Sequence, residues 1–213
     1  MAAKWRSRLK RLLGTRTLAA SDRDRVLFTF DDGPHPEGTV LVLDALRRHG
    51  ARAVFFVVGS RVHRAPELLQ RILDEGHVLG NHSYTHDREA MSGLARYRAD
   101  LQRCQDIVES STGFRPTLFR PPLGEITMGS ALASRTLGLR SVFWSVDSDD
   151  WRMRHEDDVI PRVAGLDEAL AGRGLREIVL MHDERLYTAM LLDRILPGLV
   201  DRGIDVRTGA DTM

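Results

Sequence analysis

The sequence predicts an α/β fold in which parallel strands alternate with helices and curl into a distorted seven-stranded (β/α) barrel. Three observations predict it. Short apolar, β-rich runs alternate with longer stretches of helical period from residue 26 onward. Glycines stand just past five of the helical stretches, where a left-handed residue ends a helix. Titratable residues follow five of the strands, and in parallel barrels the loops at the carboxyl ends of the strands build the site. Seven strands are one fewer than in the regular eightfold barrel, so irregular closure is expected.

The strands are read at 26–30, 53–58, 78–80, 118–120, 141–146 and 178–181, with a weaker run at 204–207. Helices are read at 39–49, where Val40, Leu43 and Leu46 share a face, and at 66–75, 92–111, 128–137, 157–171 and 187–202. Gly50, Gly76, Gly113, Gly138 and Gly203 mark helix ends. Trp144, inside the fifth run, is read as core. No repeat, low-complexity tract or long linker divides the chain.

At 213 residues the chain fits one domain with a sizeable core and a short extension. An apolar content of 42% and a charged content of 29% are ordinary for a soluble globular protein. The single cysteine, Cys104, excludes an internal disulfide framework and reads as a plain thiol. No apolar run is long enough to span a membrane. The net charge of +1 conceals an asymmetry. Of 31 basic and 30 acidic residues, eight and two fall in residues 1–25, leaving 23 and 28 in residues 26–213. The folded part is therefore acidic, which argues against nucleic-acid binding. In the basic extension, residues 1–25, Trp5, Leu9, Leu12 and Leu13 form one helical stripe, a pattern that suits peripheral contact with an anionic membrane surface. The basic start is not followed by a signal-peptide apolar core, so a cytoplasmic location is expected, at the inner membrane face if the extension binds lipid.

The chemistry begins at Asp31-Asp32-Gly33-Pro34, directly after the first strand. Some fifty residues later, after the third strand, comes His82-Ser83-Tyr84-Thr85-His86. One carboxylate and two imidazoles, Asp32, His82 and His86, make a three-ligand site for a divalent metal with open positions. The set suits Zn²⁺ and tolerates Co²⁺, Mn²⁺ or Ni²⁺. The second carboxylate, Asp31, is left over as a base. Arg120 ends the fourth strand, Asp147 follows the fifth and His182 the sixth, so the same mouth would gather them. His35 is placed at that mouth as a loop residue, and His77 is read as solvated or capping.

These blocks, with Arg120-Pro121-Pro122-Leu123-Gly124, Asp147-Ser148-Asp149-Asp150-Trp151 and Leu180-Met181-His182, resemble in order the motifs of the polysaccharide deacetylases, the NodB-homology group of carbohydrate esterase family four. The resemblance implies a TIM-like, seven-stranded barrel of NodB type over residues 26–213. It implies a hydrolase acting on the carbon–nitrogen bond of linear amides, a polysaccharide or chitooligosaccharide deacetylase. Its substrate would be an N-acetylated amino sugar in an oligosaccharide, polysaccharide or sugar-lipid. By this resemblance Asp31 matches the base, Arg120 the arginine that tethers it, His182 the general acid, and Asp150 the carboxylate that orients the acid. Leu123 matches the position whose backbone N–H holds the oxyanion, and Trp151 and Leu180 match the acetyl pocket. The family commonly has an aromatic residue where this chain has Leu123, so a ring stacked on sugar is missing there while the backbone N–H is retained. Competing readings are a deformylase, O-deacetylase or small-amide hydrolase on the same barrel. A catalytically dead carbohydrate-binding module would lack one of these groups, and the sequence retains them all.

Overall fold

A computed structural model describes residues 14–15, 18–19, 24–88, 93–210 and 213. The strands are β1 (Gly14–Thr15), β2 (Arg25–Asp31), β3 (Ala53–Val57), β4 (Val78–Asn81), β5 (Leu118–Phe119), β6 (Arg140–Val142), β7 (Val146–Asp147) and β8 (Arg176–His182). The helices are α1 (Gly38–His49), α2 (Pro66–Asp74), α3 (Leu94–Thr112), α4 (Met128–Thr136), α5 (Val159–Ala169) and α6 (Thr188–Asp201). They coincide with the six helical stretches read from the sequence to within a few residues. Every neighbouring strand pair is parallel, in the order β1-β6-β5-β4-β3-β2-β8-β7. The result is the distorted parallel barrel the sequence predicts, with strand membership that differs in three places.

Strand alternation assigns each face of β2 a separate task. Val26, Phe28 and Phe30 belong to the outer core, with Val42, Leu43 and Leu46 of α1 and Leu191, Leu192 and Ile195 of α6. Phe30 stacks on Phe55 of β3 with ring centroids 5.0 Å apart. Leu27, on the other face, packs inside the barrel with Val54, Phe56, Leu118, Val142 and Ile178. Thr29 and Asp31 share the parity of Leu27 and continue that inner face towards the carboxyl end. Seven consecutive buried residues in β2 reflect a parallel strand covered on both sides. Leu18 joins the inner cluster, and its N–H donates to the carbonyl of Arg176 at the start of β8.

The predicted strand at 141–146 is two short strands on opposite edges of the sheet. β6 pairs with β5, and β7 pairs with β8. The physical reason lies in the carbonyls: Arg120 Nε donates to Val142 O at 3.2 Å and Arg120 Nη2 to Phe143 O at 3.1 Å. Ser145 then exchanges hydrogen bonds with Ile178 of β8. Trp144, read as core, therefore lies between the two strands and is half-buried at the mouth. The predicted strand at 204–207 reduces to one bridge, Arg25 with Asp205. The Asp205 side chain turns to accept from the N–H groups of Arg207 and Thr208, which ends the pairing. His77 is buried rather than solvated. Burial pushes its imidazole down to about 4, and its Nδ1 accepts from the Ala53 N–H.

The amphipathic stripe of Trp5, Leu9, Leu12 and Leu13 lies outside the described residues. Within the segment read as an extension, Gly14–Thr15 pairs with β6. No helix of the described residues is long and apolar enough to cross a membrane. Truncating a ring of the stacked pair, Phe55→Ala, should cost about 3–5 kcal/mol, since the helices cannot close over the cavity. The denaturant midpoint will report it.

Candidate active site

β2 ends at Asp31, and the chain turns at once. Asp32 adopts φ 75°, a left-handed conformation that aspartate tolerates better than most residues. The turn is fixed from both sides: Val58 N–H donates to Gly33 O at 2.8 Å, and Arg61 donates to the Asp32 carbonyl. The loop after β4 is held as firmly. Asn81 Oδ1 accepts the Ser83 N–H at 2.8 Å, and Ser83 Oγ accepts the His86 N–H at 3.0 Å. Asp100, on the buried stripe of α3, accepts from the N–H groups of Tyr84 and Thr85. Ser83 (φ 68°) and His86 (φ 55°) are also left-handed. At Gly59 a Cβ would stand 2.6 Å from the Tyr84 ring, so that approach needs glycine.

These turns bring Asp32, His82 and His86 together with one ligand atom each, all within 4.8 Å of one another. His86 Nε2 lies 3.2 Å from Asp32 Oδ1, and His82 Nε2 lies 3.8 Å from it. His82 Nδ1 contacts the Arg120 carbonyl at 2.7 Å, so it carries the proton and Nε2 keeps its lone pair for the cluster. Asp32 Oδ1 is buried and receives no hydrogen bond among the described residues. A buried oxygen without a donor, beside two imidazole lone pairs, fits a divalent cation. Burial works against the Asp32 charge. The imidazoles of His82, His86 and His182 and the Arg61 guanidinium outweigh burial and hold the carboxyl below its ordinary range. Burial also pushes the His82 imidazole down, towards the neutral form a ligand requires.

Asp31 stands next to this cluster, 5% exposed, with Oδ2 3.6 Å from His82 Nε2. Its Oδ1 accepts from Arg120 Nη1 at 2.9 Å. Across the pocket, His182 Nδ1 donates to Asp150 Oδ1 at 2.8 Å. Asp150 is fully buried and its Oδ2 also accepts from the His182 N–H and the Thr188 hydroxyl, each at 2.7 Å. Burial disfavours the His182 charge, yet the Asp150 hydrogen bond and the charges of Asp150, Asp31 and Asp32 raise it to about 9. His182 is thus a cation at neutral pH. Leu123, at φ 57° and exposed, Trp151, Leu180 and Trp144 line the same pocket of about 400 Å³. Eight of the ten site residues read from the sequence line this pocket, and Arg120 and Asp150 are buried behind it on Asp31 and His182. His35 instead caps α1, with Nδ1 accepting from the Gly38 N–H at 3.0 Å.

Asp183 directly follows β8. It is 1% exposed, and burial pushes its carboxyl up to about 7. Its Oδ2 accepts from the Thr39 hydroxyl at 2.5 Å, and its N–H donates to the Asp31 carbonyl at 3.3 Å. A Cβ on Gly33 would collide with this carboxyl, and one on Gly38 would collide with the Asp183 carbonyl. Two glycines that follow the aspartate pair, Gly33 and Gly38, were the available signal. Cys104 is buried, and burial pushes its thiol up to about 12, so it remains an unreactive thiol.

A parallel barrel with a metal-ready Asp-His-His cluster and a histidine–aspartate pair across one pocket defines a class of hydrolytic scaffold rather than a binding module. The sequence profile of the polysaccharide deacetylases matches residues 19–142, and the chain belongs to that family, carbohydrate esterase family four. The peptidoglycan-N-acetylglucosamine deacetylase PgdA of Listeria monocytogenes is 38% identical over 189 residues, covering 89% of this chain and 39% of that protein. The peptidoglycan-N-acetylmuramic acid deacetylase PdaC of Bacillus subtilis is 37% identical over 183 residues, covering 86% of this chain and 37% of that protein. The chain thus spans about two fifths of the length of these relatives. A solved structure of PdaC superposes with a TM-score of 0.76 at 34% identity, covering 87% of this chain and 88% of that one.

Two outcomes are expected. Gly33→Ala should displace the Asp32 turn and weaken zinc binding roughly tenfold or more, measured by calorimetric titration. The His182 imidazole should titrate near 9 by NMR. In Asp150→Asn its midpoint should fall by more than about one unit, because burial then acts unopposed by the nearest charge.

Proposed function

We propose that the protein is a metal-dependent hydrolase that removes N-acetyl groups from amino sugars of an oligosaccharide, polysaccharide or sugar-lipid and releases acetate. The observation that carries this reading is the placement of two proton-handling groups on either side of the metal-ready cluster. Asp31 beside the cluster suits a base, and His182 with its Asp150 partner suits an acid. The names of the PgdA and PdaC relatives support peptidoglycan as the substrate class.

Asp32, His82 and His86 would hold the ion, for which zinc is the first candidate and cobalt, manganese and nickel are alternatives. When bound, the ion supplies Lewis acidity towards a water and the acetyl carbonyl. Asp31 receives the proton of the attacking water through Oδ2, because Arg120 occupies Oδ1. The Leu123 N–H donates to the developing oxyanion, its backbone presented by the left-handed turn. His182 passes its Nε2 proton to the departing amine while Asp150 retains Nδ1–H and balances the charge. Trp151 and Leu180 give the acetyl methyl an apolar wall and exclude water.

Acetate release from chitin oligomers and peptidoglycan fragments, with added Zn²⁺ or Co²⁺, tests the reading. Formate release from N-formyl analogues in its place would identify a deformylase. Asp31→Asn should keep the ion and lose about 10²–10⁴ in kcat. His82→Ala should lose the ion at micromolar zinc, by elemental analysis, and with it turnover. Full occupancy in that variant would remove His82 from the ligand set.

A further inference from the structure

We propose that Arg185 is a binding subsite for a carboxylate carried by the saccharide, so that the pocket favours acidic amino sugars such as muramic acid over neutral ones. The inference rests on the deacetylase reading and specifies its substrate. Among the residues lining the pocket the full charges are Asp31, Asp32 and Asp147 on one side of the balance, and on the other Arg185 and His182, whose charge Asp150 holds from behind.

The other cations near the mouth are committed. Arg120 is fully buried, with Nη1 on Asp31 and Thr29 and its other donors on main-chain carbonyls. Arg61 serves the Asp32 carbonyl and Glu184 Oε2. Arg152 lies over the Trp151 ring at 4.6 Å and pairs with Asp149. Arg185 shares Glu184 with Arg61: its Nη2 meets Oε1 at 3.0 Å while Arg61 takes Oε2 at 2.7 Å. One carboxylate between two guanidinium groups leaves one positive charge uncompensated. Arg185 Nε, moreover, is buried and has no hydrogen-bond partner among the described residues, although the side chain as a whole is 40% exposed.

The exposed end of the guanidinium offers N–H groups to the pocket, and a carboxylate takes a charge-assisted hydrogen bond there. A sugar hydroxyl brings no charge to such a site. The lactyl ether of N-acetylmuramic acid places a carboxylate on the sugar ring beside the acetamido group. N-acetylglucosamine has a hydroxyl there. The Arg185 main-chain N–H donates to the His182 carbonyl at 3.4 Å, which ties this residue to the segment that bears the proposed acid.

The test compares two substrates of equal length with the zinc-loaded protein: chitotetraose, and the tetrasaccharide of alternating N-acetylglucosamine and N-acetylmuramic acid. The readout is the ratio of kcat/KM for acidic over neutral substrate. Arg185→Gln should lower it roughly tenfold or more, with the loss in KM. Arg185→Lys should retain part of it, and Arg185→Glu should lower it furthest. Salt should lower the wild-type ratio. Both rates come from one sample, so loss of folded protein cancels. Acetate from both substrates with a ratio constant within twofold across the variants would overturn the inference and leave the deacetylase reading standing. Acetate from neither would overturn both.

Discussion

A guanidinium with no solvent exposure sits where the inner faces of β2, β5 and β6 converge, and the barrel is organised around it. Arg120 reaches from the end of β5 to Thr29 and Asp31 of β2 and to the carbonyls of Val142 and Phe143. Its planar head lies 4.3 Å from the centre of the Phe56 ring. Burial pushes its pKa down and the Asp31 charge opposes that. A buried cation is tolerable only when its donors are satisfied and a counter-charge is close. Arg120 meets both conditions, and each partner is thereby fixed. Asp31 is turned so that one oxygen is held and the other faces the cluster. Val142 and Phe143 give up carbonyls that would otherwise extend a strand. The Arg120 carbonyl orients His82. One side chain and its own peptide unit thus set the base, a ligand and the point at which the sheet divides.

Around that centre the mouth is built from backbone that is unfavourable in isolation. Asp32, Ser83, His86, Leu123 and Asp149 are the non-glycine residues with positive φ among the described residues, and each lies in a motif block of the site. Such conformations cost free energy and persist where neighbours over-determine them. The neighbours here are Asp100, Asn81, Ser83 and Arg61, with the close approach of Asp183 to Gly33 and Gly38. The ligands are positioned by loops, and the loops are positioned by polar groups anchored in helices and strand ends.

Much of this was legible in the sequence, for reasons that differ by scale. Helix periods and strand runs are local, so the six helices and the order of the main strands follow from residues a few positions apart. The metal cluster was legible because its three residues fall in two short blocks. The pairs Arg120–Asp31 and Asp150–His182 join residues far apart in the chain, and motif order rather than spacing brought them together. The broken run at 141–146 could not be read, because its interruption comes from a side chain in β5. Asp100 left a faint mark, an acid among Tyr97, Leu101, Cys104 and Val108 on the buried stripe of α3. Asp183 left only the two glycines that follow the aspartate pair, and Arg185 left none, since each acts through a contact formed only in the folded chain.

The division of the sheet also bears on how copies of the protein meet. An open parallel sheet offers unpaired N–H and C=O groups along both outer strands, a template for joining another chain. Among the described residues the outer strands are β1 and β7, each two residues long there, and β7 ends in the exposed, acidic Asp147. A strand of that length offers too few free groups to nucleate a ladder, and the carboxylate repels its own copy. The long, apolar strands β2, β3 and β8 lie in the middle, where both of their ladders are already filled. The irregular closure that makes room for a mouth is thus compatible with a surface that resists fibrillar association, without the fully closed ring that most barrels rely on.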